Sequence, residues 1–281
     1  MKEAMFYTQQ KDGKVRCILC PKTCLIQVGK TGFCGVRKNH DGRLYSENYG
    51  RISALHMDPV EKKPLRRFMP GTQTFSVGSY GCNMDCPWCQ NESISRRIPH
   101  TMDFTPEQIV EEAMKQGVPS IAYTYNEPTV FYEWIYETAR LAKSKGLKNI
   151  WVSNGYICEK PFRQILPFLD ACNIDVKTFE EEAYRFVCKG SLSDVKRTVE
   201  IAASQIHVEI TALMVTGIHD NLEGIENMCR WIAGIDRNIP LHLSRYYPQR
   251  FYKEPMTDRD KMIQAEKRAK EYLTYVYLGN L

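Results

Sequence analysis

Thr74-Phe75-Ser76-Val77-Gly78-Ser79-Tyr80-Gly81-Cys82-Asn83-Met84-Asp85-Cys86-Pro87-Trp88-Cys89-Gln90-Asn91 is a β-prone run that opens into a loop bearing three cysteines. Their spacing is C-x3-C-x2-C, with Trp88 just before the third. Three thiolates in so tight a loop can ligate three irons of a [4Fe–4S] cluster. The fourth iron is then left without a protein ligand, whereas an electron-transfer cluster has four cysteine ligands. An open coordination position suits chemistry, by the logic that separates catalytic metal sites from closed structural ones.

Outward from this loop the chain alternates short β-prone runs with longer helical patterns. Strands are expected at Thr74–Gly78, Ser120–Tyr125, Asn149–Ser153, Ala171–Val176, Ile206–Leu213 and Pro240–Arg245. Thr105-Pro106-Glu107-Gln108 carries a capping-box pattern with proline in the first turn, so a helix starts there and stops at Gly117. Further helices are expected over Pro128–Lys145 and near 192–204, 222–234 and 257–272. Thr274–Leu278 either adds a terminal strand or packs over the end of the sheet. Six β–α alternations with right-handed crossovers give a parallel sheet with helices outside. Periodicity fits an open doubly wound sheet and a curved, incomplete barrel equally.

Composition narrows the class. The 281 residues are 43% hydrophobic and 25% charged, as in a globular protein. No run of about 18 apolar residues exists to span a membrane, and the N-terminus has no apolar core like that of a signal peptide. A cytoplasmic location, with no membrane partner, is the expectation. A net charge of +5 is too small to imply nucleic acid. Eleven cysteines in a cytoplasmic chain argue for metal or cluster binding rather than disulfides. Cys158, Cys172, Cys188 and Cys229 are scattered singly and read as small buried hydrophobes.

In parallel α/β folds, chemistry gathers at the C-terminal ends of the strands. Here those ends carry Cys82, then Asn126-Glu127-Pro128, Ser153-Asn154-Gly155, Asp175-Val176-Lys177, and His242, Ser244 and Arg245. Each has a structural alternative taken singly: a helix start, a turn, an ion pair. Together on one rim they define a shared site.

Residues 1–70 lack the alternating rhythm and form a cysteine-rich extension to the domain at 71–281. Asp41-Gly42 marks a hairpin turn, and Ile52–His56 reads as a further strand. Cys17-x2-Cys20-x3-Cys24-x9-Cys34 supplies a complete set of four thiolates. A closed zinc site and an auxiliary [4Fe–4S] cluster both fit. A structural site, of either content, is favoured over an electron relay.

The cysteine loop resembles the signature of the radical S-adenosylmethionine (SAM) superfamily. Glu127-Pro128 stands where that family has a Gly-Gly-Glu-Pro motif, with Tyr125 and Asn126 replacing the two glycines. Asp175-x-Lys177 is similar to a pair in activating enzymes of glycyl-radical enzymes, such as that of pyruvate formate-lyase. Across nearly the whole chain the sequence resembles the radical SAM member of the AmmeMemoRadiSam system, in Cys17–Cys24, Gly32–Arg37, Asp58–Leu65, Ser79–Asn83 and His242–Pro248.

The resemblance implies an incomplete (βα)6 TIM-like barrel with SAM on the open iron held by Cys82, Cys86 and Cys89. It implies a 5′-deoxyadenosyl radical that abstracts hydrogen, fed by a flavodoxin- or ferredoxin-type electron donor. Trp88 and Asn126 would line the cofactor, Glu127 would bind its amino group, and Ser153 and Asn154 its ribose side. Asp175 would contact the ribose or a monovalent cation, and Lys177 the SAM carboxylate or a substrate anion. His242 and Arg245 are the substrate-side candidates, His242 being equally readable as a histidine satisfied within its strand. The substrate would be a partner protein carrying the glycyl radical or, alternatively, a small molecule or peptide. A metal-binding scaffold or redox sensor without turnover is the alternative of a different class.

Overall fold

The run leading into the cysteine loop forms the strand Gln73–Gly78 (β1) of a computed structural model that describes all 281 residues. Ser120–Tyr123 (β2), Lys148–Ser153 (β3), Ala171–Asp175 (β4), His207–Met214 (β5) and Leu241–Arg245 (β6) follow it. They lie in sequential order, each parallel to the last. The terminal apolar run becomes a seventh parallel strand, Val276–Gly279 (β7), against β6. Ala54–Pro59 pairs antiparallel with β1 at the other edge, giving an eight-stranded sheet whose two outer strands do not meet. The architecture is an α/β partial barrel, as the resemblance implied.

Helices cover the outer face. Pro106–Lys115 (α1) starts at Thr105 with both bonds of the capping box formed and buries Ile109, Val110 and Ala113. Ile109 and Val110 each contribute about 1.5–3 kcal/mol by leaving water, and Ala113 less. The helix expected from Pro128 is a 3-10 turn, Pro128–Phe131, running into Tyr132–Ser144 (α2), and Gly146 ends it at a φ of +81°. Glu159–Ile165 (α3), with proline near its start, was not foreseen. Leu192–Ala203 (α4), Leu222–Asp236 (α5) and Arg259–Lys270 (α6) lie where the sequence placed helices.

The interior is plugged from below. Val60 and Leu65 pack on Ala122, Ile150 and Ala171, with Phe68 and Val152 beside them. The backbone N–H groups of Arg66 and Arg67 donate to Glu209 on β5 at 3.0 and 2.7 Å. Asn173 on β4 donates to the Pro64 carbonyl at 2.8 Å. Backbone that would otherwise be buried without partners is thereby satisfied by polar residues on the inner strand faces.

The extension contains the expected hairpin, Arg37–His40 against Arg43–Ser46, with Asp41 and Gly42 in left-handed backbone at φ +49° and +84°. The strand expected at Ile52–His56 is instead two. Arg51–Ile52 pairs with Met102–Asp103, while Ala54–Pro59 is the edge of the main sheet. Gly78 explains the break, because its carbonyl takes the Ser53 N–H at the point where the chain changes partner. The extension is locked to the barrel by a buried ion pair between Arg37 and Glu133.

Candidate active site

The cysteine loop leaves β1 through Ser79 and a tight turn at Gly81, whose φ is +93°. No side chain fits there, since a Cβ on Gly81 would lie 2.7 Å from Val36 and 2.9 Å from the Cys34 carbonyl. Asn126 braces the turn from the end of β2. Its Oδ1 accepts the Ser79 N–H at 2.8 Å and its Nδ2 donates to the Gly81 carbonyl at 3.2 Å. On the far side Arg250 donates to Asp85 at 2.6 Å and to the Cys86 carbonyl at 2.9 Å. Phe251 and Tyr252 donate their N–H groups to Pro87 at 3.0 and 3.2 Å, and Trp88 lies buried edge-to-face with Tyr252.

Cys82, Cys86 and Cys89 line one cavity of about 440 Å³ at the C-terminal ends of the strands. Trp88, Asn126, Glu127, Ser153, Asn154, Asp175 and Lys177 line it too. Cys82 Sγ accepts the Met84 N–H at 3.4 Å and faces Asn154 Nδ2 at 3.8 Å. Cys89 Sγ is 3.3 Å from Ser95 Oγ. The Cys188 thiol beside Cys86 together with burial raises the Cys86 pKa, and burial with the Glu127 charge nearby raises that of Cys82. Thiols held protonated in this way ionise when a cationic metal centre ligates them.

Glu127 is buried, and both its carboxylate oxygens accept hydrogen bonds, the single bond on Oε2 leaving an acceptor position free. Oε1 accepts from the Thr129 N–H at 2.9 Å and Ser153 Oγ at 2.7 Å, and Oε2 from the Asn154 N–H at 2.9 Å. Burial raises its pKa in spite of these donors. A cationic group arriving in the cavity would relieve that cost. Asn154 carries the network on, from Glu127 to Asn83 Oδ1 at 2.9 Å and so to the cysteine loop.

Tyr125 takes the left-handed conformation, φ +72°, where the resembled motif has glycine. That costs a non-glycine residue about 1–2 kcal/mol. Its hydroxyl donates to Asp58 and its ring lies 4.5 Å beneath the Lys63 ammonium, contacts that hold the strained backbone in place.

Lys177 and Asp175 pair at 2.8 Å on the cavity wall. Burial works against the Lys177 charge, but the Asp175 carboxylate outweighs it and raises the pKa of the ammonium. The two substrate-side candidates lie elsewhere. His242 sits deeper in the barrel, 2.6 Å from Glu209 and stacked on Tyr277, so it is the satisfied strand histidine. Arg245 donates its Nε to the Thr257 carbonyl at 2.7 Å and braces the chain after β6. Neither lines the cavity.

Ser244, placed on the rim by the sequence, lines the cavity, and so do residues missed from the sequence: Lys62, Lys63 and Pro64, Thr211, and Arg250. Of the missed residues, only Lys62–Pro64 had a visible signal, lying inside the Asp58–Leu65 stretch that carried a resemblance but no role.

The sequence model of the radical SAM superfamily matches residues 76–232, more than half of the chain. The protein therefore belongs to the radical SAM superfamily. It is 41% identical over its whole length to uncharacterized protein MJ0808 of Methanocaldococcus jannaschii, covering 86% of that protein. It is 26% identical, over 72% of this chain and 87% of the other, to MJ1227 of the same organism, which is named as a glycyl-radical enzyme activating enzyme. Its fold matches Streptococcus suis SuiB bound to S-adenosylmethionine with a TM-score of 0.57, at 13% identity, over 71% of this chain and 48% of SuiB.

Membership implies a [4Fe–4S] cluster and SAM, and the cavity suits both. All three thiols line it, and its volume of about 440 Å³ leaves room for a cluster with a ligand beside it. A buried carboxylate close by lacks a cationic partner.

Proposed function

We propose that the chain uses the cluster at Cys82, Cys86 and Cys89 to cleave SAM reductively and abstract hydrogen from a partner protein, in the manner of glycyl-radical-enzyme activating enzymes. The observation that carries this reading is the continuous network from Cys82 through Asn154 to buried Glu127, on one cavity wall. When bound, the cluster and SAM supply the chemistry: one electron breaks the S–C5′ bond, giving methionine and a 5′-deoxyadenosyl radical that takes hydrogen from a C–H bond.

The chain's own residues bind and orient. Glu127 would receive the SAM ammonium, its carboxylate held in place by Ser153, Thr129 and Asn154. Lys177, kept cationic by Asp175, would meet a carboxylate. Trp88, fixed by Tyr252, would wall the adenosyl side, and the plug at Val60–Phe68 excludes water from below. Membership of the AmmeMemoRadiSam system, a cytoplasmic setting, a flavodoxin- or ferredoxin-type donor and a monovalent cation near Asp175 belong to the same proposal. So does a division into residues 1–70 and 71–281.

The test is anaerobic reconstitution with iron and sulfide, then reduction in the presence of SAM. 5′-Deoxyadenosine and methionine in equal amounts are expected. An intact cluster that yields neither overturns the proposal. A glycyl-radical signal on a co-purified partner identifies the substrate class, and turnover of a free peptide or small molecule instead overturns the activating-enzyme part.

A further inference from the structure

Two guanidiniums beside the catalytic cysteines are held in place without being satisfied. Arg250 sits in left-handed backbone, φ +49°, which residues other than glycine rarely adopt, and its side chain is only 8% exposed. Its Nη1 is spent on Asp85 Oδ1 and the Cys86 carbonyl, but its Nε is buried with no hydrogen-bond partner. Glu92 lies 3.9 Å from that Nε, beyond hydrogen-bond reach, and also faces Arg97 at 3.6 Å.

Arg96 follows the short helix Glu92–Ser95, which is docked on the cysteine loop. The Ile94 carbonyl accepts the Gly81 N–H at 2.8 Å, and Ser95 Oγ is the atom beside Cys89 Sγ. Arg96 Nε lies 3.1 Å from the same Asp85 Oδ1 that Arg250 uses. Its Nη2, too, is buried with no partner. Both arginines line the cavity that holds Cys82, Cys86 and Cys89.

Buried donors without acceptors are rare in native folds, and each calls for a missing partner. The local charges say that this partner is an anion. Arg96, Arg97 and Arg250 share two carboxylates, Asp85 and Glu92, so a positive charge is left over. The cavity's other carboxylates bond elsewhere, Glu127 to Ser153, Thr129 and Asn154, and Asp175 to Lys177. Three thiolates around a [4Fe–4S] centre make it a net anion with sulfur acceptors on its surface. Net charge and hydrogen bonds to sulfur both set the potential of such a centre.

We propose that Arg96 and Arg250 are the counter-charges of the cluster at Cys82, Cys86 and Cys89: their free N–H groups donate to its sulfur atoms and favour its reduced state. The two arginines balance the negative charge that one electron from the low-potential donor adds, with no proton taken up. This rests on the cluster placed above and not on what the radical then attacks.

The test is a redox titration of the reconstituted full chain without SAM, followed by EPR. Cys17, Cys20, Cys24 and Cys34 line a separate pocket, so the signal followed is the one that Cys82→Ala abolishes. Arg96→Gln removes a charge without breaking a bond to the loop's backbone. It is expected to leave about tenfold less cluster reduced at a given potential, a fall of about 59 mV in the midpoint for one electron. Arg96→Lys should restore most of the difference. Asp85→Asn frees both guanidiniums from their shared carboxylate and is expected to raise the midpoint. If the arginines only brace the loop, Arg96→Gln and Asp85→Asn loosen it alike and move the midpoint in one direction or not at all, and either result overturns the proposal. An effect of Arg96→Gln that appears only with SAM present also overturns it, by making these residues ligands of SAM. Should Arg96→Gln fail to hold iron, the sign for Asp85→Asn decides: a raised midpoint supports the proposal, and an unchanged or lowered one overturns it. An unsubstituted chain that takes up no cluster fails the cluster placement itself and this proposal with it, whereas loaded variants with unchanged midpoints fail this proposal alone.

Discussion

Glu127 and Asn154 are tied through a 2.9 Å bond from the Asn154 N–H to the carboxylate, while the Asn154 side chain reaches the cysteine loop. The group best placed for a cationic ligand is thereby held in register with the thiols that would hold iron. Glu127→Gln keeps the shape but removes the charge. A loss of charge-assisted binding of about 2 kcal/mol is expected, about thirtyfold in SAM affinity. Titration of the reconstituted enzyme with SAM checks it, and unchanged affinity would remove Glu127 from the ligand site.

Glu127 also sets a pH dependence. Its pKa is raised on folding by burial, so the folded chain holds its proton more tightly than the unfolded chain. Its contribution to stability is therefore greatest below the ordinary carboxylate range and falls as pH rises through the raised value. A bound ammonium reverses this by favouring the carboxylate. SAM is expected to stabilise the protein more at neutral than at acidic pH, read as the ligand-induced shift in Tm at each pH.

Glu209 titrates the other way. Burial opposes its charge, but His207, His242 and the Arg66 and Arg67 N–H groups lower its pKa to about 2. The stability it contributes is present above the ordinary glutamate value near 4.5 and is lost as pH falls toward about 2. A few kcal/mol are at stake. Glu209→Gln is expected to unfold more easily at neutral pH and to show a flatter acid limb in denaturant titrations.

Lys177 and Arg245 are expected to separate. Lys177→Ala should weaken SAM binding or slow 5′-deoxyadenosine formation by about tenfold or more, as loss of a buried charge partner does. Arg245→Ala should lower stability by about 1 kcal/mol through loss of its bond to Thr257, with SAM affinity retained. Equal effects on SAM binding would show that the cavity wall is misassigned.

Arg250 clamps the cysteine loop at Asp85 and Cys86. Arg250→Ala is expected to speed iron loss to a chelator several-fold from the Cys82 cluster, with a smaller effect on global unfolding. Iron release and thermal melting on the same sample distinguish the two.

The cysteine loop, the rim carboxylate and the strand order were legible because each is local: a spacing, a dipeptide after a strand, an alternation of periods. The bracing of the loop by Arg250 and the burial of His242 against Glu209 were not, because those contacts join segments far apart in the chain. Tyr125 shows a third case. Its side chain hides the glycine-like backbone it adopts, and only its bond to Asp58 reveals what sustains the strain.

The segment Val60–Phe68 enters the barrel from the end opposite the cysteines and fills it. With that end filled, cofactor, substrate and spent products would all pass through the side of the barrel that carries Cys82, Cys86 and Cys89. If the substrate is a partner protein, as proposed above, it would have to seat over that side after SAM has entered, so the order of arrival would bear on whether a reactive species is used or quenched.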